Sequence, residues 1–295
     1  MPGKKERRAA VTWLMPLGTI IQFMLPRWAI VRIARVAGAL AYHLDRKGRE
    51  RFTENCRHIL APGTPESEIA ATARRLFFHY VLNILDLLRV PVMKHRVTRL
   101  VEFDPQAVDK MVAQNRGVLV VTGHIGNYDL AGVYMAAKGY PMSAVVEPVP
   151  GGWAETYNRY RSATAMETIP IPDRRAMIRA LRHHRLLALV SDRDLTGNGI
   201  LCPAFDSYRY YPKGAAAYSL RFKAPMVVAA LLFQHKPGRR PYRLVYKPVE
   251  FTPTGDVDAN VTAFTHLMAA ELNELIRLHP DQWLVFRGAW QRQQA

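Results

Sequence analysis

The stretch that most constrains this chain is Gly117-Val118-Leu119-Val120-Val121-Thr122-Gly123-His124-Ile125-Gly126-Asn127-Tyr128-Asp129. An apolar, β-branched run between glycines reads as a strand buried on both faces, the pattern of a parallel sheet. Tyr128 to Lys138 reads as a helix, with Asn127 as its N-cap and Gly139 as its stop. Strand, turn and helix in that order predict an open α/β sheet with His124 in the turn at a strand's carboxyl end. Ligands bind and catalytic side chains are presented at that edge, because the loops there meet helix N-termini.

Asp129 follows His124 by five residues. Residues five apart within one helix point about 140° away from each other, so the two meet only if His124 precedes the helix. Gly123 and Gly126 permit the sharp turn this requires, and Asp129 falls in the first helical turn, where the macrodipole favours a carboxylate. A carboxylate beside an imidazole fixes its tautomer and supports its charged form, which makes His124 a candidate general base. With 10 His and 24 acidic residues in 295 positions, an H-x4-[DE] match is expected about once by chance. The second match, His266 to Glu271, lies inside a long helical pattern without a glycine turn and reads as that chance event. A hydrogen-bonded turn histidine is the competing reading of His124.

The alternation continues. Ser143 to Glu147 reads as a strand, Trp153 to Ser162 as a helix carrying Arg161, and Glu167 to Ile171 as a short strand. Arg174 to Arg185 reads as a basic helix, and Leu186 to Val190 as a strand ending in Ser191-Asp192-Arg193-Asp194. This pattern predicts an α/β fold, a mostly parallel central sheet with helices on both faces, and it puts a second acidic cluster at the edge that holds His124. Residues 195–213 read as a loop whose apolar patch, Ile200 to Phe205, suits a lid or a substrate wall. A helix from Ala215 to Lys223, a strongly apolar strand from Pro225 to Gln234 and a strand from Tyr242 to Val249 antiparallel to it follow. A last helix, capped by Asp256 or Asp258, runs to about Leu278. Earlier, Glu68 to Leu88 reads as a buried helix that stops before Pro91.

Composition enters through charge. A net +17 implies an anionic partner: nucleic acid, an anionic membrane surface or an acidic carrier protein. The chain divides into N-terminal membrane-associating helices over 1–60 and an α/β domain over 61–295. The apolar run from Val11 to Leu25 is short for a spanning helix and contains Pro16, Gly18 and Gln22. From Trp28 to Leu44, Ile30, Ile33, Val36, Ala37, Leu40, Ala41 and Leu44 recur at helical spacing among arginines, as in an amphipathic helix lying on an anionic bilayer or packed on a core. Cys56 and Cys202 are too few for a disulfide framework and point to a reducing setting.

Several chemistries lack their motifs. There is no G-x-S-x-G elbow, no G-x-x-x-x-G-K-[ST] loop, no G-x-G-x-x-G after a strand, and neither H-E-x-x-H nor paired C-x-x-C, so no metal is expected. No helix-turn-helix, RNA-binding aromatic pair or zinc finger supports a nucleic-acid-binding protein, the rival that the charge suggests. A histidine base with carboxylates at a sheet edge suits proton removal from a hydroxyl that attacks an activated carbonyl.

Thr122 to Gly132, Ser191-Asp192-Arg193-Asp194 and the closing His279-Pro280-Asp281-Gln282-Trp283 together resemble the lysophospholipid acyltransferase superfamily. The resemblance is greatest to the branch holding the late acyltransferases of lipid A biosynthesis and the phosphatidylinositol mannoside acyltransferases. It implies transfer of a fatty acyl chain from acyl-CoA or acyl carrier protein, as co-substrate, to a hydroxyl of a membrane glycolipid, with no further cofactor and no nucleic acid. The enzyme would sit on the cytoplasmic face of the inner membrane as a peripheral or monotopic protein. The resemblance maps the base onto His124, the motif acid onto Asp129 and an acid that orients the histidine onto Asp192. An inactive lipid-binding relative is the further alternative. Arg161 and Arg193 are candidates to face the tetrahedral oxyanion or a thioester phosphate, Glu147 to support the site, and Ile200 to Phe205 or the N-terminal helices to form the acyl groove.

Overall fold

A computed structural model describes residues 25–147, 164–234 and 239–291. Three helices lead the described chain: α1 (Arg27–Leu44), α2 (Arg46–Ile59) and α3 (Glu66–Met93). The expected stop before Pro91 is not observed, since α3 continues to Met93. Pro91 sits in its final turn, where the missing N–H costs one bond, and the chain then tightens into a 3-10 helix over Lys94–Leu100. Strand β1 (Val101–Glu102), α4 (Gln106–Val112), β2 (Val118–Thr122), α5 (Tyr128–Ala137), β3 (Met142–Val146) and β4 (Glu167–Pro170) follow. After them come α6 (Arg174–Arg182), β5 (Leu186–Val190), β6 (Ile200–Ala204), β7 (Ser207–Tyr211), α7 (Gly214–Phe222), β8 (Met226–Phe233), β9 (Tyr242–Pro248) and α8 (Val257–Leu278).

Seven of the strands form one sheet in the order β1-β9-β8-β2-β5-β3-β4. Its pairs are parallel except β8 with β9, so the mostly parallel sheet and its antiparallel pair are as the sequence predicts. Strand β2 is central. Leu119 and Val121 point into the core that α6, α7 and α8 cover, whereas Val118 points into the core under α4 and α5. Burial on both faces is why this strand lacks polar alternation.

Residues 195–213 are not the loop their composition suggested. β6 and β7 form an antiparallel hairpin with Ala204 opposite Ser207. The two-residue turn Phe205-Asp206 holds Phe205 at φ +60, so no Gly or Asn marks the turn in the sequence. Helix α6 ends at Arg182, short of Arg185, because His184 takes φ +59. The expected helix from Trp153 to Ser162 and the run from Val11 to Pro16 lie outside the described residues, as does most of Leu17 to Leu25.

Helix α1 buries Ile30, Ala34, Gly38 and Tyr42. Ile30 and Ala34 pack with Phe78 and Leu82 of α3, and a Cβ at Gly38 would lie 2.8 Å from the Phe78 backbone. The buried face is therefore the small-residue face. Trp28, Ile33, Val36, Leu40 and Leu44 are left outside, with Val36 63%, Leu40 58% and Leu44 82% exposed. Among the described residues no helix is long and apolar enough to cross a membrane.

Candidate active site

β2 and β5 are adjacent and parallel, with Thr122 beside Val190. The residues that follow each strand therefore emerge together. His124 Nδ1 lies 2.8 Å from Asp192 Oδ1, and the His124 backbone N–H donates to Asp192 Oδ2 at 2.7 Å. Trp283 Nε1 donates to the same Oδ2 at 2.8 Å. The carboxylate is 0% exposed and the imidazole 15%. With Nδ1 taken by a carboxylate, the stable neutral tautomer carries its proton there and leaves Nε2 as the free base.

The glycines of the turn have separate reasons. Gly126 has φ +61, and a Cβ there would stand 2.1 Å from the Leu231 carbonyl oxygen, since the turn runs onto the end of β8 with Asn127 N donating to that oxygen at 2.8 Å. Gly123 needs no left-handed backbone. A Cβ at 123 would sit 2.9 Å from Asp192 Oδ2, so the glycine makes room for the carboxylate. Asn127 accepts from Leu130 N at 3.1 Å and caps α5, as its sequence position predicts.

The closing segment works on the same turn. Leu284 N donates to the His124 carbonyl and Gly126 N to the Gln282 carbonyl, at 2.6 and 2.8 Å. Gln282 accepts from Phe233 N and donates to Phe233 O, sealing the end of β8, and Asp281 accepts from Arg75 of α3. From the other side Asn83 of α3 donates to the Gly126 carbonyl at 2.6 Å.

The two partners tune each other. Burial pulls the His124 pKa down, but the charge and hydrogen bond of Asp192, with some help from Glu147, outweigh burial and the repulsion of Arg193, so the net shift is upward. Burial alone would raise Asp192. The charge of His124, its two hydrogen bonds and the charge of Arg209 instead hold the carboxyl well below the usual range.

A cavity of about 1040 Å³ opens at this edge, with His124, Asp129, Glu147, Arg193 and Asp194 among the residues that line it. Glu147 and Arg193, both in its lining, pair at 3.5 Å. Asp129 is in the first turn of α5 as expected, and the partner of Nδ1 is Asp192. Asp194 is turned to its own loop, accepting from Thr196 N, Gly197 N and Gly199 N. Arg161 lies outside the described residues. Ile200 to Phe205 do not line the cavity. Instead β6 and β7 carry Arg209 beneath Asp192. The sequence assigns no role to Trp283, Asn83 or Arg209: the first lies in the closing His279 to Trp283 segment, and the other two carry no local signal.

A family model described as bacterial lipid A biosynthesis acyltransferase matches residues 1–292. A phosphatidylinositol mannoside acyltransferase of Mycobacterium tuberculosis (strain CDC 1551 / Oshkosh) is 25% identical over 98% of this chain and 91% of that protein. One of Mycolicibacterium smegmatis is 26% identical over 89% of this chain and 88% of its own.

Proposed function

We propose that this chain, which belongs to the bacterial lipid A biosynthesis acyltransferase family and is an acyltransferase, moves a fatty acyl chain from an acyl thioester to a hydroxyl of a membrane glycolipid. The reading is carried by one observation: a buried carboxylate holds Nδ1 of His124 while the ring borders a large cavity. The relatives named phosphatidylinositol mannoside acyltransferase favour a glycolipid acceptor.

His124 Nε2 takes the proton of the acceptor hydroxyl as its oxygen bonds to the thioester carbonyl carbon. Asp192 stabilises the imidazolium that forms. The tetrahedral oxyanion collapses, the C–S bond breaks, and the imidazolium proton goes to the leaving thiolate. Arg193, which lines the cavity, faces the oxyanion or a phosphate of acyl-CoA or acyl carrier protein. No covalent acyl-enzyme is needed, and neither cysteine suits one: Cys56 and Cys202 are buried, and burial pushes each thiol up to about 12.

The cavity also has an apolar wall for the acyl chain. Val118, Val120, Met142, Leu186 and Ala188 of the sheet line it, with Met135 of α5 opposite. From Thr122 to Val118 the wall runs along the strands for about 13 Å. The α1 face of Trp28, Ile33, Val36, Leu40 and Leu44, with Arg32 and Arg35 also exposed, suits an anionic bilayer on the cytoplasmic side, where the acceptor resides.

Two experiments test this reading. Mass spectrometry of membrane lipids from cells lacking and overproducing the chain is expected to show one glycolipid losing and gaining a single acyl group; identical profiles in both would overturn it. In the second, Val36→Asp with Leu40→Asp is expected to weaken binding to anionic vesicles by at least ~10-fold, while transfer to a detergent-dispersed acceptor persists. Undiminished vesicle binding would remove α1 as the docking face.

A further inference from the structure

The β6–β7 hairpin brings one buried cation to the catalytic turn. Arg209 on β7 is 2% exposed. Its Nη2 donates to the backbone carbonyl of Asp192 at 2.9 Å, and its guanidinium lies 4.6 Å from the ring centre of Trp283 and 5.0 Å from that of Trp290. Among the described residues its Nε and Nη1 are buried without a hydrogen-bond partner.

A guanidinium stays protonated in proteins, and burying it with two unused donors is costly. An apolar side chain between the two indoles would serve stability as well or better. The charge is therefore kept for something other than packing. Its surroundings say what: Asp192, Tyr211 and Arg193 are the charged or titratable groups that act on it, and Asp192 is the carboxylate that grips His124. His124 itself is faced by Asp192 and Arg193 after β5 and by Glu147 after β3, with Tyr128 and Asp129 of α5 on the same cavity. A lone carboxylate in so apolar a setting would hold the imidazolium too firmly for His124 to serve as a base at neutral pH.

We infer that Arg209 is a positioning residue acting through Asp192, its fixed and water-excluded positive charge offsetting the carboxylate so that His124 releases its proton at working pH. This rests on reading His124 as the base. The test therefore follows the imidazole itself as well as turnover.

His124 is titrated by NMR in the full chain, as wild type, Arg209→Met and Arg209→Lys. The methionine variant is expected to move the midpoint upward by about half a pH unit or more, and the lysine variant, which keeps the charge but loses the planar stack, to leave it in place. Acyl transfer by Arg209→Met should fall several-fold at pH 7 and recover as pH is raised. An unmoved midpoint, equal shifts in both variants, or a loss that higher pH does not recover would each overturn the inference. Absence of transfer in the wild type would instead sink the functional reading, while the titration would still report on Arg209. Should Arg209→Met not fold, thermal melting decides: Asp192→Asn with Arg209→Met is expected to melt higher than Asp192→Asn alone, and a lower melting temperature would refute the charge pairing.

Discussion

His124→Ala is expected to lower acyl transfer by at least ~100-fold, the usual scale of a general base, with little change in melting temperature. The two halves of this expectation have different causes. Chemistry is lost because the base itself is gone and neither carboxylate that acts on it replaces it: Asp192 is 0% exposed and Glu147 is paired with Arg193. The fold persists because the carboxylate keeps the backbone N–H of residue 124 and Trp283 Nε1 as donors. The wild-type pH profile carries the same assignment. His124 has a raised pKa and must be neutral to act, so transfer is lost as pH falls through a midpoint above the ordinary ~6.5. Steady-state turnover against pH, with melting curves for both proteins, checks the prediction. Near-normal turnover in the alanine variant would end the role of His124.

Much of this arrangement was legible, and the reasons are local. Val118 to Thr122 and Leu186 to Val190 are short apolar runs each followed by a turn, and parallel strands place such turns on one edge. His124 and the Ser191 to Asp194 cluster could thus be brought together before any strand order was known. The choice of Asp192 within that cluster came from the family resemblance; the H-x4-D spacing pointed to Asp129. The structure supplies the physical distinction: Asp129 is fixed to α5 beyond the turn, while Gly123 leaves a gap that the Asp192 carboxylate enters. Strand order was not legible, because three described helices, three strands and a hairpin intervene between β2 and β8. The hairpin itself hid behind a turn whose left-handed position holds Phe205 in place of Gly or Asn. Arg209 and Trp283 lie 17 and 91 residues from Asp192. Contacts of that kind depend on the packed sheet, and no periodicity announces them.

Asp192→Asn is expected to reduce transfer by ~100-fold or more, and Asp194→Asn by less than ~10-fold. Both substitutions keep shape and remove one charge, so the contrast isolates position. At 192 the amide withdraws the countercharge of the imidazolium, and burial then acts on His124 largely unopposed. The midpoint should move downward, opposite to the shift expected for Arg209→Met. An amide N–H pointed at Nδ1 would also favour the tautomer that carries its proton on Nε2, the wrong nitrogen for a base. At 194 the side chain only ties together Thr196, Gly197 and Gly199 of its own loop, and one amide oxygen can keep part of that. Stability separates the pair as well. Losing the Asp192 charge removes the attraction that acts on the buried Arg209, so the Asp192→Asn protein should melt below the Asp194→Asn protein. Because the Asp192 pKa is depressed on folding, its contribution is fully present above the unfolded value near ~3.9 and fades as pH falls below it. The melting-temperature gap between wild type and Asp192→Asn should therefore be wide at pH 7, begin to narrow only below pH ~3.9 and close as pH falls through the depressed folded value. Equal losses of turnover at 192 and 194, or a gap that does not close in acid, would mean that Asp192 is not the ionised partner on which His124 depends.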